Sequence, residues 1–184
     1  RAKVDLIPMV KLHDLYGNRH EPGYAAMRSL VEHRVGPDDL RALFGADVGL
    51  CVERIITASG GYPRELIRLL QEMIFAADPA VPPAEFDQVL RRAGDEVRRV
   101  VRFHAEAIDW LGSVAETRTL PTNNEEERAL ATRMLAESVV LRYLNDDEWW
   151  ELHPAVRGMF EIVAARERYV QRERAARPPK DGRG

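Results

Sequence analysis

The sequence predicts a mainly α protein, with a small helical bundle followed by a second helical domain that carries one β-hairpin. Three observations lead there. Apolar residues recur at helical spacing through most of the 184 positions. Strand-like runs are confined to the first ten residues and to a stretch around residue 140. Pro79, Pro82 and Pro83 form a linker between the two regions of helical periodicity. A composition that is 45% hydrophobic and 31% charged suits a chain that buries a core rather than a disordered one.

The elements follow in order. Val4 to Val10 is a short apolar run that reads as a strand, with Pro8 placing it at an edge or strand end. Gly17-Asn18 and Glu21-Pro22-Gly23 mark turns. Residues 24–34 set Met27, Leu30 and Val31 on one helical face. Pro37 starts a short helix with Asp38 and Asp39 at its positive end, and Gly45 stops it. Residues 47–58 form a third helix, and Pro63 to Ala77 a fourth with a wide apolar face from Leu66 to Ile74. Helices this short need one another's packing to persist.

Beyond the linker, residues 84–116 read as one long helix, with Gly94 as a point for a kink. Asn123 and Asn124 are N-cap residues for a helix over 125–136, whose first turn holds three glutamates. Val139 to Leu144 and Glu148 to Leu152 form a hairpin about Asn145-Asp146-Asp147. Pro154 opens a final helix to about Ala176, and Arg177 to Gly184 is a tail.

Several function classes are excluded. No run approaches the roughly 20 apolar residues of a membrane span. The opening residues lack a signal-peptide h-region, and the expected compartment is the cytoplasm. Cys51 is the only cysteine, so neither an intrachain disulfide nor a zinc site built on paired cysteines can form. The five histidines show no H-E-x-x-H or i,i+4 pairing, and no metal site is expected. There is no G-x-S-x-G elbow, and no catalytic residue is expected.

The chemically informative stretch is Ser59-Gly60-Gly61-Tyr62-Pro63-Arg64. Two glycines free the backbone for a tight turn, Pro63 presets the first helical φ, and Arg64 stands in the first turn. A cation at the positive end of a helix is unfavourable unless an anion compensates it, and a phosphate is such an anion. The alternative is a proline-started helix with an exposed arginine.

Together with Leu30 to Val35 and the short helix after Pro37, this turn resembles the lid of an AAA+ or STAND-type P-loop ATPase of the origin-recognition-like subgroup. The resemblance covers about residues 4–77, and its specific part is the SGGYPR turn. It implies that residues 1–22 are a final core strand and connection and that 23–78 form the lid bundle. Arg64 would be the sensor-2 arginine, with Gly60, Gly61 and Pro63 shaping its turn. Arg34 would be the arginine ending the first lid helix. Val4 to Leu12 would be the last core strand, completing a sheet whose other strands lie upstream; read from its residues alone, the run is equally a short hairpin or local extension.

The chain departs from that family in holding no G-x-x-x-x-G-K-S/T loop and no Walker-B carboxylate. ATP or ADP with magnesium is therefore implied only with an upstream P-loop core, which would be the first partner, and no activity is expected of this chain alone. A helix, a turn, a helix and a hairpin over residues 84–160 resemble the winged-helix-like domain that often follows the lid. Residues 161–184 would add a C-terminal helix and basic tail.

Charge speaks to what that domain binds. Residues 1–85 carry 10 basic and 12 acidic side chains, residues 86–160 carry 10 and 14, and residues 161–184 carry 7 and 4. The helix at 125–136 begins Glu125-Glu126-Glu127 and offers only Arg128 and Arg133, and the hairpin tip is acidic. Such surfaces repel a duplex, whose phosphates dominate affinity. A protein partner or self-association is favoured over DNA. Trp149 and Trp150 point to opposite faces of a strand, so one is expected in the core and the other partly exposed, as an anchor for a partner. The rival readings are a DNA-binding winged-helix regulator and a helical interaction module without nucleotide.

Overall fold

A computed structural model describes residues 8–144 and 148–176. Helices α1 (Glu21–Val35), α2 (Pro37–Phe44), α3 (Val48–Ala58) and α4 (Pro63–Ala76) come first, followed by α5 (Pro83–Phe103), α6 (Ile108–Thr117) and α7 (Glu125–Ala136). Strands β1 (Val140–Leu144) and β2 (Glu148–Leu152), then α8 (Pro154–Arg157) and α9 (Phe160–Ala176), complete the described chain. The fold is mainly α, with a single two-stranded antiparallel hairpin among the described residues. The hairpin tip at 145–147, the tail at 177–184 and most of the strand expected over 4–10 lie outside the described residues.

Caps agree with the local sequence. Proline opens α2, α4, α5 and α8. The Asn124 side chain accepts the Glu127 N–H at 2.8 Å, and His153 accepts the Ala155 N–H at 3.2 Å.

Two expected helices are broken. The stretch 84–116 runs straight through Gly94 but leaves helical geometry at His104, with φ −119° and ψ 57°. A straight helix of that length would span about 50 Å, more than one core can cover. Phe86, Val89 and Ala93 pack with α1–α4, whereas Val101 and Leu111 pack in a second core with Met134, Val140, Leu152 and Ile162. The turn at Ala105–Ala107 redirects the chain so that α6 lies along α9. There Gly112 meets Ala165 so closely that a Cβ on Gly112 would stand 2.7 Å from the alanine's. The stretch from Pro154 likewise breaks at Gly158, because α8 packs on α5 while α9 follows α6.

The hairpin joins the two cores. In register, Tyr143 faces Trp149 and Arg142 faces Trp150. Val140, Trp150 and Leu152 cover the second core, while Leu141, Tyr143 and Trp149 form a third small cluster with Met9. The N-terminal segment thus has a partner within this chain: Met9 forms a parallel bridge with Tyr143, and its N–H donates to the Arg142 carbonyl at 2.8 Å. Of the two readings the run left open, a local hairpin or extension and the last strand of an upstream sheet, the described part shows pairing within this chain. β1 left an unpaired edge, and Met9 takes it.

Candidate functional site

The SGGYPR turn links α3 to α4. Gly60 and Gly61 are buried with φ +60° and +77°. A Cβ on Gly60 would lie 2.5 Å from Leu141 Cδ1, and one on Gly61 would lie 1.9 Å from the Val10 carbonyl oxygen. The Tyr143 hydroxyl donates to the Gly60 carbonyl at 2.6 Å, and the Val10 N–H donates to the Gly61 carbonyl at 2.8 Å. Both glycines are therefore explained by packing against the hairpin and the N-terminal segment. Neither lines the hollow at the start of α4.

Arg64 is on that hollow. It measures about 730 Å³ and is bordered by Arg34, Tyr62, Pro63, Arg64 and Ile67, together with Ala136 at the end of α7 and Ser138 just beyond it. Two arginines 30 positions apart in sequence, both exposed, thus share one wall. Neither makes a hydrogen bond or ion pair among the described residues. Arg68, one turn further on, differs: it pairs with Glu65 at 2.7 Å, with Glu72, and with Glu96 on α5 at 3.3 Å. Its charge is spent on tying α4 to α5. No side chain caps α4, since Tyr62 is its N-cap and Pro63 has no N–H to satisfy. Two unpaired guanidinium groups beside an uncapped helix start form a surface suited to a polyvalent anion.

The expected partner-contact residues fare differently. Trp149 is 2% exposed and stacks on Tyr143 with ring centroids 4.3 Å apart, so it cannot anchor a partner. The register puts it on the face that closes over Met9. Trp150 is half-buried, with the Arg142 guanidinium 5.6 Å above its ring. Arg128 donates to the Thr122 carbonyl at 3.2 Å, and Arg133 lies 3.2 Å from His104 Nδ1 and 3.8 Å from Glu106. Both are exposed but already engaged locally.

His153 lies where the two cores meet, beside Glu65, Arg98 and Ser138. Burial, against the opposing pull of Glu65, pushes its pKa down from 6.5 to about 4. The folded protein then keeps it neutral while the unfolded chain takes up a proton below pH 6.5. Its contribution is complete above that pH and is lost as the pH falls to about 4, up to about 3 kcal/mol. His153→Gln keeps an acceptor for the Ala155 N–H and removes the titration. Urea unfolding at pH 7 and pH 4.5 should show the variant losing less stability on acidification than the parent. Equal losses would refute a neutral buried histidine.

Sequence reasoning missed one cluster. Glu151 on β2 is buried against Arg118 and Arg157. The signal was present: alternation puts Glu151 on the same face as Trp149. An acidic residue at an inward position of a buried hairpin needs partners.

No family model matches the chain, and neither the curated proteins nor the solved structures yield a significant match. No helix among the described residues is long and apolar enough to cross a membrane.

Proposed function

We propose that this chain is the nucleotide-sensing lid and C-terminal regulatory region of an AAA+ or STAND-like ATPase, acting in the cytoplasm and not catalytic alone. The observation that carries the reading is the pairing of Arg64 with Arg34 on one hollow at the uncapped start of α4, both without partners among the described residues. In this reading the hollow faces the phosphates of ATP or ADP held with magnesium by an upstream P-loop core. Arg64 binds the terminal phosphate and Arg34 assists. Pro63 fixes the helix start that aims Arg64, and Gly60 and Gly61 seat the turn beneath it.

The route to the second half is short. The Tyr143 hydroxyl holds the Gly60 carbonyl, and Ser138 borders the same hollow. A shift of the turn on nucleotide exchange would be felt by β1 and the end of α7, and through them by a protein partner or a second copy. Binding to a protein is favoured over DNA because α7 starts with three glutamates and its two arginines are engaged locally.

The test compares the longer gene product carrying the P-loop core with its Arg64→Ala variant. ATP turnover should fall tenfold or more, about 1.4 kcal/mol of barrier, with the fold intact by circular dichroism. Unchanged turnover and nucleotide affinity would reduce the SGGYPR turn to a helix start and leave a plain interaction module. Salt-dependent duplex binding that is lost on Arg128→Ala with Arg133→Ala would instead support a DNA-binding regulator.

A further inference from the structure

Helix α4 begins with little support from its own residues. Its N-cap, Tyr62, makes no capping bond through its side chain, and Pro63 follows at the first helical position. The turn before it is closed by the Tyr62 N–H, which donates to the Ser59 carbonyl at 3.0 Å. The two central residues of that turn are Gly60 and Gly61, at φ +60° and +77°. Glycine restricts its own backbone less than any other residue. The direction of the first turn of α4, where Arg64 stands, therefore depends on what grips those two glycines.

Both of their carbonyls are held from outside the turn. The Gly61 carbonyl accepts the Val10 N–H at 2.8 Å, a backbone bond. The Gly60 carbonyl accepts the Tyr143 hydroxyl at 2.6 Å, from a side chain 83 positions away. Tyr143 is itself fixed: it is 1% exposed, faces Trp149 across the hairpin and stacks on that ring with centroids 4.3 Å apart. Burial pushes its phenol above the ordinary pKa of 10, so the hydroxyl stays a donor through the neutral range. Leu141 and Pro154 crowd the Cβ position of the same glycine, at 2.5 and 2.9 Å. The body of α4 is anchored separately, by Leu66, Leu69, Leu70 and Met73 in the core of α1–α4. Loss of the hydroxyl would thus re-aim the first turn without releasing the helix.

We infer that Tyr143 is the positioning residue for Arg64: the hairpin, through one hydrogen bond to Gly60, sets the direction in which Arg64 meets the terminal phosphate of ATP. This rests on the nucleotide reading above and names how that site is regulated. By linkage, a partner that displaces the hairpin changes the hold on ATP by the same factor as ATP changes the hold on that partner.

The test titrates the longer gene product carrying the P-loop core with ATP and with ADP, as the parent, Tyr143→Phe, Arg64→Ala and the double variant. Tyr143→Phe removes one oxygen and keeps the stacked ring. It should weaken ATP about fivefold and ADP by less than about twofold. In the Arg64→Ala background the same substitution should change neither affinity. Equal losses for ATP and ADP, or a loss of the same size in both backgrounds, would show that the hydroxyl serves the fold alone and would overturn the inference. A lower ATP affinity in Arg64→Ala with none in Tyr143→Phe would remove the positioning role and leave the nucleotide reading standing. Unchanged affinity in Arg64→Ala would remove that reading, and the inference with it. Should Tyr143→Phe fail to fold, Leu141→Val, which loosens the packing on Gly60, takes its place in the cycle with the same expected outcomes.

Discussion

Gly61→Ala is expected to destabilise the protein by about 3 kcal/mol or more, from a left-handed backbone cost of about 1–2 kcal/mol and an overpacking cost of about 1–3 kcal/mol. At φ +77° any side chain is strained, and the new Cβ would stand 1.9 Å from the Val10 carbonyl oxygen. That oxygen is not the tip of a flexible side chain. It belongs to a segment held by the Val10 N–H bond to Gly61 and the Met9 N–H bond to Arg142, each 2.8 Å. Moving it away breaks the contact between the N-terminal segment, the turn and the hairpin. Gly17→Ala is the control, since Gly17 has φ +85° but nothing within 4 Å of its Cβ position. Urea midpoints for the two variants separate backbone strain from the clash. A loss at Gly61 no larger than that at Gly17 would show that Val10 does not pack on the turn.

Trp149→Ala is expected to cost about 3–5 kcal/mol, the range for emptying a buried aromatic site. The ring is 2% exposed and stacked on Tyr143 at an interplanar angle of 16°, with the Arg118 guanidinium 5.4 Å from its centre. Its loss opens the cluster that holds Met9 against the hairpin. Trp149→Phe should recover part of the loss by keeping a stacked ring. Trp150→Ala, at a half-buried position, should cost less than Trp149→Ala. Thermal unfolding of the three variants ranks the positions. Full stability of Trp149→Ala would place the ring at the surface and restore it as a partner anchor.

Much of the architecture was legible because local chemistry and final structure agree. Pro37 and Pro63 start the helices they were expected to start, and Asn124 caps α7. The hairpin spans the expected residues with its two tryptophans on opposite faces. What was illegible depended on distance. The apolar stripe from Phe86 to Leu111 is continuous in sequence, yet its two ends serve different cores, and only the position of α9 makes a turn at His104 necessary. The stretch after Pro154 was misread for the same reason.

The candidate site divides in the same way. Arg64 could be singled out by its place in a helix's first turn, and Arg34 only through a family resemblance. Their meeting on one hollow follows from α1 and α4 both packing against α3. The two glycines mark a tight turn in any reading, but their crowding neighbours, Val10, Leu141 and Pro154, are remote in sequence. Arg118 is likewise remote in the chain from Glu151 and meets it only through the tertiary fold, whereas Arg157 lies six positions beyond it.

By itself, then, the sequence determined the helical periodicity, the starts of α2, α4, α7 and α8 and the hairpin, since periodicity, proline and capping side chains act within a few residues of one another. The tertiary structure alone decided where long helices break, which tryptophan is buried, what the glycines make room for and which arginines remain unpaired. Those outcomes depend on contacts between segments distant in the chain, where packing and desolvation outweigh local preference.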